Sequence, residues 1–323
     1  MRSKLVVVVF SFVGLAVQAR GAAALFVEEP YGSFGWFTPT GHSAVFLSRV
    51  CAATPVELRL CEPGETGVVI SRYHRVGGYD WIAIPLIPYL FAVEDVSQIP
   101  ASIDADQVAS LRDEYRRGHF SQIIPDGADG GIPKGNWTQL VGSSYDRRIY
   151  SFEIETTLEQ DEHLIAILNS RPNKEHFNLL SRNCADFSRN VINFYYPHAI
   201  HRGILTDMGI MTPKQAARTL AKYSRKHDDL EFSDTEIPQI EGLARSTRLR
   251  GVLESFVKSK KYVVPVAALH PLVLGGIAVF YVAHSLVEAP SPVVKDPPLE
   301  PHEIAARLAK ADDPPPPPSF SQN

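Results

Sequence analysis

Hydrophobic and polar positions alternate with a period of two along several short stretches of the chain. TGHSAVFLSRV (40–50) alternates in this way, and VELRLCE (56–62) follows it across a short turn. Because this spacing is typical of two antiparallel strands, we predict a hairpin that carries His42 on its first strand. The stretches 67–76 and 147–156 show the same strand pattern. The chain is therefore predicted to contain a small antiparallel sheet.

Helical periodicity with clear start signals lies between and after these strands. Asp104 with Gln107 has the spacing of a capping box, and Thr157 with Gln160 has the same spacing. A further capped helix is predicted to begin after Thr212. The predicted fold class is α+β, with the sheet packed against helices.

The N-terminus has the composition of an export signal. Two basic residues precede an apolar run from residue 5 to about residue 17, and small residues follow. This pattern predicts a signal peptide over 1–24, with cleavage near Ala19 or Ala24. The alternative for this segment is a buried strand.

The C-terminal part changes composition twice. After a main domain predicted over 25–230, residues 231–261 form a basic connector, and 262–287 are apolar without a charge. A stretch of that length predicts a transmembrane helix, with a buried core helix as the alternative. Residues 288–323 are rich in proline, which predicts a disordered tail that is a candidate site for a protein partner.

Length and charge fit one enzyme-sized domain with appendages. The chain has 323 residues, of which 45% are hydrophobic, so it can bury a full core. The formal net charge is −4, and no basic stripe alternates with aromatic residues, which excludes nucleic acid as a partner. Because the sequence contains no zinc-type spacing, P-loop or dinucleotide fingerprint, we predict no metal and no cofactor.

The sequence contains three cysteines: Cys51, Cys61 and Cys184. In an oxidising compartment, a disulfide between Cys51 and Cys61 would leave Cys184 free. Spacing alone does not establish the geometry of that disulfide, so its formation stays open.

Cys184 stands at the start of a predicted helix, in SRNCADFSRNVINFYYP (181–197). Asn183 is a good N-cap and Asp186 completes a capping box, which places Cys184 on the first turn. The helix dipole and unpaired amides favour a thiolate near neutral pH when an imidazolium is nearby, and the same amides can hold an oxyanion. The alternative is a small buried structural thiol.

His42 is the candidate base for this thiol, because it follows Gly41 on a strand of the adjoining sheet. If the residue numbers of opposed positions in the hairpin sum to about 104, Glu62 lies across from His42 and orients it. Glu57 is the second candidate for this role. A register slip of one residue would exchange the two glutamates. The predicted catalytic set is Cys184, His42 and Glu62.

The order of these residues, a histidine on an early strand before a cysteine at a helix start, resembles the circularly permuted papain-like enzymes. The chain is more closely similar to the periplasmic domain family named for the Lnb lipoprotein intramolecular acyltransferase. The similar segments are YGSFGWFTPTGHSAVFL (31–47), YDWIAIPLIPYLFAVED (79–95) and LEQDEHLIAILNSRPNKEHFNLLSRNCADFSRNVI (158–192).

This resemblance implies a thiol acyltransferase with a circularly permuted papain-like fold. A "GH" strand, a segment matching residues 90–94 and an "NC" helix recur in the family, and its catalytic histidine and cysteine fall on His42 and Cys184. The family's lipoprotein enzyme moves an acyl chain through a thioester on the enzyme. The resemblance thus implies a membrane-associated enzyme on the periplasmic face of the inner membrane, with a lipid or lipoprotein as acyl donor.

Asn183, Trp81 and Tyr89 are the candidate substrate-binding residues. The apolar segment around Trp81 and Tyr89 can line an acyl-chain groove, and burial in the core is its alternative. Two other functions stay open. One is a cysteine peptidase or amidase that acts on envelope peptides, and the other is a non-catalytic envelope binding module.

Overall fold

A computed structural model describes residues 21–32, 40–174, 176–203, 207–252 and 254–255, together with single positions at 272, 275, 276, 279, 298, 300, 303 and 304. The strands are β1 (Gly21–Glu28), β2 (His42–Leu47), β3 (Val50–Thr54), β4 (Glu57–Leu60), β5 (Val68–Ser71), β6 (Ile82–Pro85), β7 (Ile149–Thr156) and β8 (Ser233–Ile237). The α-helices are α1 (Leu86–Phe91), α2 (Ala105–Tyr115), α3 (Ser143–Asp146), α4 (Leu158–Ser170), α5 (Cys184–Tyr195) and α6 (Pro213–Ser224). Short helical turns lie at Val96–Gln98, Arg116–Phe120, Asn136–Gln139 and Asp228–Leu230.

A six-stranded antiparallel sheet in the order β6-β5-β2-β1-β7-β8 forms the centre of the fold. β1 has the sequence GAAALFVE and is buried along its whole length. A strand that is covered on both faces has no solvent side, so its sequence is a nearly continuous apolar run rather than an alternating one. The α+β class and the antiparallel sheet predicted from the sequence are found.

Each face of the sheet packs against its own layer. Phe26 and Phe46 belong to one core cluster that includes most of α1, and we call this side the α1 face. Val45 belongs to a second cluster with Val191 of α5 and Ala217 of α6, and we call this side the α5 face. Side chains alternate along a strand, so the strand containing the candidate base contributes to both faces.

The predicted hairpin between 40–50 and 56–62 is wrong. β2 ends at Leu47 and pairs with β1 and β5, while β3 and β4 form a separate two-stranded sheet. In that small sheet Cys51 lies opposite Arg59, and the disulfide from Cys51 to Cys61 is formed. The physical reason is that β1, an apolar run that overlaps the predicted export signal, pairs with β2 on one side, and β5 pairs with it on the other.

The predicted signal peptide overlaps this central strand. β1 begins at Gly21, so cleavage near Ala24 would remove its first residues from the middle of the sheet. Cleavage near Ala19 would leave β1 intact, and residues 1–20 lie outside the described part of the chain.

The predicted transmembrane helix is contradicted. Among the described residues, no helix has both the length and the apolar character needed to span a bilayer. Within 262–287 the structure describes only positions 272, 275, 276 and 279. Most of the predicted tail over 288–323 also lies outside the described residues.

The domain extends beyond its predicted end at residue 230. β8 lies in the segment interpreted as a connector, and it pairs with β7 at the edge of the sheet. Residues beyond β8 also contact the sheet, because the hydroxyl of Ser246 donates to Glu29 at 2.6 Å.

Gly41 allows β1 and β2 to approach each other at the start of β2. Its φ is +78°, and a Cβ at this position would overlap the carbonyl oxygen of Glu28 and lie 2.7 Å from Leu249 Cδ2. Glu28 is directly opposite His42 in the β1–β2 register. Only glycine satisfies both the left-handed backbone and this backbone contact.

We predict that Gly41→Ala destabilises the protein by about 3 kcal/mol or more, because left-handed strain and a backbone overlap act together. Denaturant unfolding measures the change. Gly64→Ala is the matched control, because Gly64 has a φ of +92° and nothing within 4 Å of an added Cβ. An equal loss in both variants would show that the contact with Glu28 is unimportant.

Candidate active site

The nucleophile candidate occupies the first turn of α5, as predicted. Asn183 is the N-cap: its side chain accepts from the Asp186 N–H at 3.0 Å, and the Asp186 carboxylate accepts from the Asn183 N–H at 3.4 Å. The predicted capping box is therefore confirmed. This arrangement fixes the start of the helix, and with it the position of Cys184.

The carboxylate of Asp186 is held by a cation. Its second oxygen accepts from Arg202 at 2.5 Å, and Arg202 also donates to the carbonyl oxygen of Ser181. Asp186 therefore acts as a cap and an ion-pair partner. A carboxylate engaged in this way does not oppose a thiolate at Cys184 as a free one facing the sulfur would.

The apolar side of α5 packs onto the α5 face of the sheet, and a polar contact sets its position on β2. Ser188 and Ser43 approach at 3.1 Å between their hydroxyl oxygens. The sulfur of Cys184 is in hydrogen-bonding contact with the backbone N–H and the hydroxyl of Ser43 and with the N–H of Ala185. The fold thus brings the thiol to the residue that follows His42 in the chain.

The side chain of Cys184 is half-buried, and its removal from water sets the resting state of the thiol. Desolvation raises the pKa of Cys184, and the hydrogen bonds from Ser43 and Ala185 oppose this without reversing it. The position at a helix N-terminus alone predicts the opposite direction for this pKa. The resting nucleophile is therefore the neutral thiol, and it needs a base at the moment of attack.

His42 is buried at the start of β2 and has a defined hydrogen-bond partner. Its Nε2 lies 3.0 Å from the hydroxyl oxygen of Ser71, the last residue of β5. Ser71 in turn donates its only hydroxyl proton to the carbonyl oxygen of Ser43 at 2.8 Å. Because that proton is used, the Ser71 oxygen must accept from His42, and Nε2 carries the hydrogen. The remaining nitrogen, Nδ1, is then the proton acceptor.

The imidazole is neutral in the resting structure. Burial lowers the pKa of His42 to about 3, and the nearby positive charge of Arg147 acts in the same direction. Tyr73 covers the ring, with the two ring centroids 5.1 Å apart. The site therefore combines a neutral thiol with a neutral imidazole whose tautomer is fixed.

The predicted orienting residues do not face His42. Glu62 is exposed in the turn after β4, where its N–H donates to Glu65, and Glu57 is exposed at the start of β4. Both errors follow from the wrong strand pairing. Ser71 has the orienting position instead, and the only sequence signal for it was a polar residue that ends the apolar run GVVI.

The predicted substrate-binding residues have structural roles. Trp81 and Tyr89 are buried at 4% and 0% exposure, so the core alternative for their segment is the one found. Tyr89 donates its hydroxyl to Glu28 in a very short contact. The side-chain amide of Asn183 donates to the carbonyl oxygens of Leu179 and Met211. All three side chains are used inside the protein.

A cluster of metal-ligand type also occurs within the described part of the chain. It consists of Cys51, Cys61 and Glu65. Both sulfurs belong to the disulfide, so they are not available as thiolate ligands.

Comparison with known proteins adds a weak structural likeness. No family model matches the chain, and no curated protein matches it. The chain is similar to the crystal structure of the type VI secretion system effector TseH, with 13% sequence identity and a TM-score of 0.30, over 68% of this chain and 94% of that chain. A likeness at this TM-score carries no argument, and the Lnb-type resemblance remains a prediction from the sequence.

The thiol of Cys184 should react slowly with iodoacetamide near neutral pH, because burial raises its pKa. The alkylation rate of the folded protein, followed by mass spectrometry against pH, should have its midpoint above that of the same chain unfolded in urea. Cys184 is the free cysteine of the chain, so the signal has one source. A folded midpoint below the unfolded one would contradict the neutral resting thiol.

In Ser71→Ala the tautomer of His42 should no longer be fixed, because the substitution removes the oxygen that accepts the Nε2 hydrogen. NMR of the imidazole nitrogens should show a protonated Nε2 in the wild type and a mixture of tautomers in the variant. Ser144→Ala is the control, since Ser144 is fully buried and its hydroxyl has no hydrogen-bond partner among the described residues. Identical spectra for wild type and Ser71→Ala would contradict the assignment.

Proposed function

We propose that this protein is a cysteine-nucleophile enzyme that takes an acyl group from an ester or amide donor and holds it as a thioester on Cys184. The hydrogen-bonded chain from His42 through Ser71 to the Ser43 carbonyl carries this proposal, because it leaves Nδ1 of a buried histidine as an acceptor and ends on the residue that contacts the Cys184 thiol.

The reaction begins with both groups neutral. Nδ1 of His42 takes the thiol proton while the sulfur of Cys184 attacks the carbonyl carbon of the donor. The carbonyl π electrons move to oxygen, and the N–H groups of Ala185 and Ser43 that contact the sulfur are the candidate oxyanion donors. The tetrahedral intermediate collapses, the leaving group takes the proton from the imidazolium, and the thioester remains.

The second half-reaction decides the class of enzyme. An amine acceptor would give acyl transfer, which is what the Lnb-type resemblance implies for a lipid or lipoprotein donor. Water would give hydrolysis of an envelope peptide or a related amide. Hydrolysis is favoured by one observation: Trp81 and Tyr89, which a long acyl chain would need as a groove, are buried.

An extracytoplasmic location is part of the proposal. The Cys51–Cys61 disulfide supports it, because structural disulfides persist in oxidising compartments and are rare in reducing ones. Because Cys51 and Cys61 are bonded to each other, Cys184 remains a free thiol in an oxidising compartment.

Cys184→Ser should lower the rate of acyl-enzyme formation by about three orders of magnitude or more while the melting temperature changes little. Incubation with p-nitrophenyl acetate or octanoate, followed by mass spectrometry of the protein, measures the adduct on residue 184. His42→Ala should also suppress the adduct. Asn190→Ala is the control, because Asn190 is exposed on the same helix.

The fate of the thioester separates the two classes. Addition of an amine acceptor such as glycine amide should yield the acylated amine if the enzyme is a transferase, and the free acid if it is a hydrolase. Equal labelling of wild type and Cys184→Ser, or a large loss of stability without a change in labelling, would show that Cys184 is a structural thiol.

A further inference from the structure

A buried ion pair lies at the end of the strand pair that carries His42. Glu28 is the last residue of β1, and Arg147 follows α3. Nη1 of Arg147 lies 3.0 Å from Oε2 of Glu28, and the two side chains are 2% and 0% exposed. Tyr89 donates its hydroxyl to the other carboxylate oxygen of Glu28. The pair is enclosed by protein.

Glu28 and His42 are direct partners in the β1–β2 register. Directly opposed residues in an antiparallel pair have their Cα atoms about 4.5–5.5 Å apart and project their side chains from the same face. Both therefore extend on the α1 face. The imidazole thus has a carboxylate as its cross-strand neighbour and, behind it, a guanidinium.

The ion pair is poorly arranged for stability alone. Within the described residues, Oε2 of Glu28 and Nε of Arg147 have no hydrogen bond of normal geometry, although both atoms are buried. The attraction within a buried ion pair offsets the free energy of desolvating its charges only when the geometry is good and the remaining polar atoms are hydrogen-bonded. The two buried charges therefore reduce the stability of the core, and they lie beside the residue proposed as the base.

We propose that the Glu28–Arg147 pair is the electrostatic partner of His42, and that the Glu28 carboxylate balances the positive charge which His42 acquires on taking the Cys184 proton. This inference rests on the proposed function. Glu28 and Arg147 are positioning residues in this scheme, because neither touches the reacting atoms. Arg147 in turn opposes protonation of the carboxylate and disfavours the imidazolium.

The charges around the site act in these directions. Arg147 lowers the pKa of His42, and the negative charge of Glu28 raises the pKa of Cys184. Burial raises the pKa of Glu28 itself, and Arg147 opposes that rise. The other charged or titratable groups near this cluster are Tyr31, Tyr73, Tyr89, Arg112 and Asp146.

The test uses the titration of His42 by NMR, which requires no substrate and no turnover. Arg147→Met should raise the pKa of His42 by about one unit or more, because a repulsive charge is removed and the carboxylate remains. Glu28→Gln combined with Arg147→Met should lower that pKa again, because the supporting carboxylate is lost. An unchanged pKa in Arg147→Met, or equal values in the single and double variants, would overturn the proposal.

Arg49→Met is the matched control. Arg49 is also buried and pairs with Asp161 at 2.7 Å, but that pair lies away from His42 near Thr156. This variant should leave the pKa of His42 unchanged. A shift equal to that of Arg147→Met would mean that any lost buried cation has the same effect, and it would overturn the proposal.

Glu28→Gln alone keeps the test decisive if Arg147→Met does not fold. Glutamine has the same shape and retains an acceptor for the Tyr89 hydroxyl. In this variant the pH midpoint of Cys184 alkylation should fall, because the negative charge that raises the thiol pKa is gone. An unchanged midpoint would overturn the proposal. Failure of these titrations leaves the acyl-enzyme experiment untouched, so the two proposals can fail separately.

Discussion

The pairing of β1 with β2 is the contact on which both the sheet and the candidate site depend. It joins two strands that are buried along their whole length and places Glu28 opposite His42. The approach is close enough at this end that Gly41 has no room for a Cβ. A change that separates the strands there would disturb the core and move the base together with its charged neighbour. Stability and chemistry are therefore coupled at one strand end.

Two opposing effects determine the resting charge state of the site: the helix N-terminus favours a thiolate, and desolvation favours the neutral thiol. Desolvation is the larger effect. A helix N-terminus stabilises an anion by about 0.3–1 kcal/mol, whereas each pKa unit corresponds to about 1.4 kcal/mol and full burial shifts a pKa by up to several units. The hydrogen bonds to the sulfur reduce the rise for Cys184 but do not cancel it. The same burial lowers the pKa of His42. A neutral pair that transfers its proton only during attack is the consistent description of both residues.

Local features of the site could be predicted from the sequence, and non-local ones could not. The capping box of Asn183 and Asp186 needs only a spacing of three residues, and the structure confirms it. The partner of His42 depends on which strand lies beside β2, and the apolar sequence of β1 was compatible with an export signal. The prediction of Glu62 is wrong because it assumes that the segment containing β4 pairs with β2. Ser71 could be found only after β5 was known to pair with β2.

The site exists because the strands end at different points. The ladder between β2 and β5 runs from Val45 to Leu47, while β2 itself begins three residues earlier, so the β5-facing backbone of Ser43 lies beyond that ladder. Its carbonyl accepts from Ser71, and its N–H contacts the sulfur of Cys184. Had β5 been two residues longer, these groups would be paired in the sheet and unavailable. The unpaired end of β2 thus supplies backbone groups to both the base and the nucleophile, which explains why the chemistry concentrates there.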